Sequence, residues 1–223
     1  MKQKNAHTWE RDELDWYVEP TKATHQLLTR ERFMGPVWDP ACGGGNIVNT
    51  LIERGHQAYG TDITRRVDST VGWFHGERDF LQMINPVAGN IVCNPPFFRA
   101  KGAEAFIRKA HALAWGKIAM FVDIRFLAGS VRAENLFQEL PPTRVWIVTP
   151  RVSCPPGKYL LDGGKAGNGS SDWCWIVWDK TAPAPTSPAM GWLTAADADW
   201  QSPSEQRATL RLTSSMSPEE AAA

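Results

Sequence analysis

Trp173-Cys174-Trp175-Ile176-Val177-Trp178 is apolar at every position. Alternate residues of a strand point to opposite faces, so a strand built from this run has two apolar faces. Such a strand belongs inside a sheet covered on both sides. That requirement excludes a sheet with one wet face and asks the rest of the chain for helices to form two covers. The remaining pattern meets it. Short apolar runs at 37–39, 57–61, 91–93, 118–122 and 144–149 read as strands. Between them, 22–33, 46–54, 101–114 and 131–139 read as helices. In the second helix Ile47, Val48, Leu51 and Ile52 share a face; in the third Ala103, Phe106, Ile107, Ala110 and Leu113 do. Strands alternating with helices predict an α/β, doubly wound, mostly parallel sheet. The run 173–178 follows strand 144–149 through a glycine-rich loop with no helix, which predicts a hairpin and one antiparallel strand near the end.

The 223 residues suffice for one domain with a sizeable core. No apolar run reaches the roughly 20 residues of a membrane span, and no apolar stretch follows the N-terminal lysines, so a cytoplasmic protein is expected. Lys plus Arg and Asp plus Glu are 24 each. The neutrality is uneven: residues 1–20 carry three basic and five acidic groups and 181–223 two and five, whereas 94–165 carry eleven and five. A basic centre between acidic ends excludes a nonspecific polycationic coat but leaves room for a local anionic footprint. From Thr181 onward the chain is rich in Ala, Pro, Ser and Thr and is read as a largely disordered tail, so the folded domain is expected over 1–180. Cys42, Cys93, Cys154 and Cys174 show no metal or disulfide spacing and are expected reduced and packed, with no metal bound.

Three constellations carry chemistry. Asp39-Pro40-Ala41-Cys42-Gly43-Gly44-Gly45 lies between a strand and a helix, where glycines let backbone approach a ligand and the helix start offers N–H groups. Val48 stands where a nicotinamide-binding loop wants its third glycine, which argues against a dehydrogenase. Asp62 ends the next strand, about 20 residues past the loop, a placement suited to ribose hydroxyls. Asn94-Pro95-Pro96-Phe97 follows the strand 91–93. Two prolines remove two donors, so the Asn94 side-chain oxygen and the Pro95 carbonyl can converge on a planar amine while Phe97 stacks on its ring.

In these residues the chain resembles the class I S-adenosylmethionine-dependent methyltransferases, specifically the phage and prophage DNA N6-adenine type. Asp39, Pro40, Ala41, Cys42, Gly43 and Gly45 match the family's cofactor loop, Asp62 its ribose-binding acid, and Asp79-Phe80 resembles the motif whose acid contacts the cofactor's adenine. Trp16-Tyr17-Val18-Glu19-Pro20 resembles the N-terminal motif that closes over the methionine end, which implicates Tyr17 and Pro20 in cofactor binding. Glu19 stands where many relatives carry Thr. Asn94, Pro95, Pro96 and Phe97 match the catalytic tetrapeptide, with Asn94 also at the cofactor. The resemblance covers about residues 15–180 and implies a seven-stranded sheet with an antiparallel final strand. It further implies S-adenosyl-L-methionine as cofactor and transfer to the N6 amine of a flipped adenine in DNA, by a monomer or weak dimer. It shows no separate target-recognition domain, so Arg99, Lys101, Arg125, Arg132, Arg151, Lys158 and Lys165 are the expected phosphate contacts. The loop Pro155–Gly169 is expected to be flexible and to touch DNA. Two alternatives stay open: an RNA adenine or protein glutamine amide as methyl acceptor, or a catalytically silent cofactor- or DNA-binding domain.

Overall fold

The structure is a computed structural model describing residues 14–84, 89–167, 169, 171–183 and 185–197. Eight strands form one sheet: β1 (Val37–Asp39), β2 (Ala58–Asp62), β3 (Phe74–Glu77), β4 (Asn90–Cys93), β5 (Lys117–Asp123), β6 (Arg144–Val148), β7 (Trp173–Asp179) and β8 (Ala189–Leu193). Their spatial order is β3-β2-β1-β4-β5-β7-β6-β8. Every pairing is parallel except those of β7, which runs antiparallel to β5 and to β6. The helices are α1 (Thr21–Arg30), α2 (Asn46–Glu53), α3 (Lys101–Leu113), α4 (Ser130–Glu134), α5 (Leu136–Glu139) and α6 (Gly157–Leu161).

The two-faced run that the sequence demanded sits at the heart of this sheet. Cys174, Ile176 and Trp178 of β7 pack into a core with Ile118, Met120 and Val122 of β5, Ile91 and Cys93 of β4, and the apolar face of α3. Trp175 and Val177 pack to the other side with Ala119, Phe121, Val92 and the buried residues of α1 and α2. Alternate residues thus feed two covers, and the predicted α3 set of Ala103, Phe106, Ile107, Ala110 and Leu113 is buried throughout. At the sheet's far end from the glycine loop, Glu31 is 2% exposed and ties strands together. It accepts from Lys117 Nζ at 2.7 Å, from Trp146 Nε1 at 2.9 Å and from both Nε and a terminal nitrogen of Arg144. These donors hold the Glu31 carboxyl below its ordinary range despite its burial.

Several expectations are corrected. The sheet has eight strands instead of seven, and the antiparallel strand is followed by another. β8 lies within the stretch expected to be a disordered tail: it pairs parallel with β6, buries Leu193 fully and leaves Met190 and Trp192 exposed. Gln26 of α1 donates to the carbonyls of Thr149 and Thr194, both at 2.8 Å, so this last strand is tied into the fold. Trp200 lies outside the described residues. The expected helix 131–139 is broken at Asn135, whose ψ of −76° interrupts the spiral between α4 and α5. Ile52, expected on the buried face of α2, is 42% exposed.

Candidate active site

Strand order reverses between β1 and β4, and in doubly wound sheets ligands bind in the crevice past the strand ends at such a point. Both prominent sequence motifs begin there, one after Asp39 and the other after Cys93. The glycine turn needs its residue types. Gly43 and Gly45 have φ of +52° and +87°, and a Cβ on Gly43 would sit 2.6 Å from Trp16 Nε1. Asp62 fixes the turn from the end of β2: its carboxylate accepts from Gly43 N at 2.9 Å and Thr64 N at 3.1 Å.

The N-terminal motif is a strap across this turn. Val18 N donates to Pro155 O and Gly157 N to Trp16 O, so the strap pairs with the segment before α6. That segment, expected to be flexible, is buried over Pro155–Gly157 because it packs on Trp16; beyond it Gly163 and Lys165 are exposed, and Asn168 lies outside the described residues. Trp16 is further capped by Arg66, whose guanidinium lies 4.3 Å from the ring centre. Asn46 Nδ2 holds the Glu19 carbonyl at 2.7 Å.

Two cavities meet under the strap. The smaller, about 200 Å³, is lined by Tyr17, Pro40, Ala41, Cys42, Gly43, Gly44, Asp62, Ile63, Asp79, Phe80, Asn94 and Pro96. The larger, about 650 Å³, is lined by Tyr17, Asn94, Pro95, Phe97, Arg99, Asp123, Arg125, Phe126, Arg132, Ser153 and Trp173, among others. Asp15, Tyr17 and Asn94 line both. Asn94 Nδ2 donates to Tyr17 O at 2.9 Å and to Glu19 Oε2 at 2.8 Å. The Tyr17 carbonyl and an ionised Glu19 can only accept, so the amide nitrogen faces them and the oxygen is left for other contacts. Past the tetrapeptide, Phe98, Arg99 and Ala100 all take positive φ, and Asp15 accepts from Phe98 N.

Not every candidate converges. Pro20 caps α1, Gly45 packs on Trp73, and neither lines a cavity. Asp39 is buried behind the turn, where its Oδ1 accepts from Ala41 N at 3.2 Å. Asp79 caps the turn at Leu81, and Phe80 stands edge-on to Trp38. Of the seven basic residues, Arg99, Arg125 and Arg132 line the larger cavity; Lys101, Arg151, Lys158 and Lys165 do not. Arg125 is paired with Asp123 and Arg151 with Asp172, which cancels part of the basic centre locally. Arg132 donates to Phe126 O and lies over the Phe126 ring at 4.4 Å. Sequence reasoning missed Asp15, Arg66 and Asp123, and singled out Glu19 only as a departure within the N-terminal motif. Of the three missed, only Asp123 carried a signal, an acid at a strand end like Asp39 and Asp62.

The site is acidic, and its carboxyls are buried. Burial pushes Glu19 up to about 7, against the pull of the Asn94 hydrogen bond. Burial, then the Glu19 charge, raises Asp39 well above the usual carboxylate range. Asp62 is raised by burial, opposed by the N–H groups of Gly43 and Thr64. The four cysteines are buried free thiols. Among the described residues no group of three or more His, Cys, Asp or Glu is placed to hold a metal, and no helix is long and apolar enough to cross a membrane.

No protein-family model and no curated protein matches the sequence. Solved structures do. A modification subunit assigned to a type I restriction enzyme of Vibrio vulnificus is 12% identical, with TM-score 0.52 over 85% of this chain and 51% of that one. The M protein of the type I restriction enzyme EcoKI is 13% identical, with TM-score 0.50 over 81% and 49%. A protein of Listeria monocytogenes described as a class I S-adenosylmethionine-dependent methyltransferase is 14% identical, with TM-score 0.48 over 86% and 69%. The chain spans about half the length of the two restriction-system proteins. At these identities the likeness is one of fold alone, an α/β sheet shared with the two restriction-system proteins.

Proposed function

We propose that this protein is an S-adenosylmethionine-dependent methyltransferase acting on the N6 amine of adenine in DNA. The observation that carries the reading is Asn94, in the wall common to the two cavities, with its amide nitrogen held by Tyr17 and Glu19. The smaller cavity fits the cofactor. Its glycine turn admits backbone contact, and among the described residues its acids Asp15, Glu19, Asp62 and Asp79 outnumber its cations Arg66 and Arg78, which suits a ligand bearing positive charge. Gly43, Gly44, Asp62, Ile63 and Asp79 are the residues to hold it. When bound, S-adenosylmethionine supplies a methyl group on a sulfonium, so no strong base is needed to drive its transfer.

The chain's own residues supply positioning. An adenine amine is a weak nucleophile because its lone pair is spread into the ring. Accepting its two N–H bonds at Asn94 Oδ1 and the Pro95 carbonyl gathers that lone pair on nitrogen, and the surplus proton leaves to solvent. A stacked adenine is out of reach, so the base flips into the larger cavity at a cost of a few kcal/mol. Stacking on Phe97, whose ring stands edge-on to Phe126 at 5.9 Å, returns about 1–3 kcal/mol. Arg99, Arg125 and Arg132 at that cavity are the proposed phosphate contacts. The modification subunit and the EcoKI M protein named above share the fold and belong to type I restriction enzymes, which agrees with a DNA substrate.

The test incubates the protein with labelled cofactor and separate pools of DNA, RNA and protein. Label in N6-methyldeoxyadenosine is expected, and Asn94→Ala is expected to abolish it while cofactor binding persists. Label confined to RNA adenine or to protein glutamine would refute the DNA reading.

A further inference from the structure

Glu19 is an odd residue for its place. It is 7% exposed, in a cavity wall, and among the described residues no side-chain cation is paired with it. Among them its side-chain partner is Asn94, through a 2.8 Å hydrogen bond accepted by Oε2. Its carbonyl is pinned by Asn46 at 2.7 Å, so the backbone under the carboxylate is fixed. A neutral Gln or Thr would fill the position without the cost of burying a charge. What an ionised carboxylate adds is polarity of one kind. It has acceptors and no donor, so it can bind the nitrogen end of the Asn94 amide and never the oxygen end.

We propose that Glu19 is the positioning residue of the transfer step: its carboxylate keeps the Asn94 oxygen turned toward the substrate amine, and protonation of Glu19 releases that hold. This rests on the methyltransferase reading of Asn94. Proton uptake from solvent turns the Glu19 carboxylate into a carboxyl group with one donor. The charge that held Nδ2 is then gone, the Tyr17 carbonyl at 2.9 Å is left as its firm acceptor, and Oδ1 is no longer fixed at the substrate –NH2. Transfer slows without any loss of fold.

The surroundings put this change in the working range. Glu19 faces Asp39 at the end of β1, Cys42 in the glycine turn, Cys93 at the end of β4 and Cys154 before α6; each of these groups feels its charge. Burial raises all three thiols, so they stay neutral, and Asp39 is raised too. Asp15, Asp62, Asp79, Arg66 and Arg78 line the same cavity, and Lys22, lowered by burial to about 8, lies three residues on. Against burial, the Asn94 hydrogen bond is the main side-chain pull toward ionisation, and the balance falls at about 7.

Two measurements test the proposal. The single-turnover methyl-transfer rate of the wild type should fall about tenfold per pH unit below pH 7, and Glu19→Gln should lack this limb and be slower at pH 8. Independently of activity, the side-chain amide NMR signals of Asn94, identified by their loss in Asn94→Ala, should move with a midpoint near pH 7 in the wild type and stay still in Glu19→Gln. A pH limb and an amide midpoint that both persist in Glu19→Gln would overturn the proposal. If the wild type methylates no DNA, the functional reading falls, while the amide titration still decides whether Glu19 controls Asn94.

Discussion

Adjacent glycines of the proposed cofactor turn separate folding from binding. Gly45→Ala forces a side chain into φ of +87° and drives its Cβ into the Trp73 ring. The left-handed backbone costs about 1–2 kcal/mol and the overpacking about 1–3 kcal/mol, so a loss of about 2–4 kcal/mol is expected. Gly44 lies between two left-handed residues but is not itself left-handed, and no atom lies within 4 Å of where its Cβ would be. Because Gly44 is nonetheless buried and lines the smaller cavity, that open space belongs to the cavity. Gly44→Ala should therefore leave stability within about 0.5 kcal/mol of wild type and weaken S-adenosylmethionine binding roughly tenfold or more. Urea unfolding gives the first quantity and titration calorimetry the second. A Gly44→Ala protein destabilised as much as Gly45→Ala, or one binding the cofactor normally, would refute this division of roles.

Two further outcomes follow from pairing. Glu31→Ala strands Lys117 and Arg144 with only Asp179 as a carboxylate partner, and should cost about 3–5 kcal/mol in urea unfolding while leaving the cofactor site intact. In DNA binding, Arg99→Gln should lower the slope of log affinity against log salt by about 0.9 for one lost phosphate contact. Arg151→Gln should change that slope little, because Asp172 already pairs with Arg151 at 2.6 Å; equal effects of the two would remove Arg99 from the interface.

The parts of this protein that announce themselves in sequence are those where a local requirement coincides with the global one. β4, β5 and β7 are apolar because both faces are covered, and α3 shows its stripe because it packs on a flat sheet. β3 was invisible because it is an edge strand with only Phe74 buried. β8 hid for the same reason, one buried leucine in a Pro- and Ala-rich stretch. At the site, the glycine turn and the tetrapeptide are contiguous, so their chemistry can be read along the chain. The strap's work is not: the Glu19–Asn94 bond joins residues 75 positions apart, and no short pattern encodes it. The charge count misled in a similar way, since the cancelling partners of Arg125 and Arg151 are placed by folding.

β8 has a consequence for how this protein avoids its neighbours. Without it, β6 would be the outermost strand, and its row of backbone N–H and C=O groups would be an open template for another chain. β8 occupies that row and becomes the edge in its place, with Pro188 directly before it to blunt pairing, and Arg30 pairs with Asp197 at 2.6 Å just beyond it. A fragment cut at residue 180 would keep every cofactor motif and lose this guard. Its expected failure is self-association through the bared strand, a solubility defect arising away from the candidate active site.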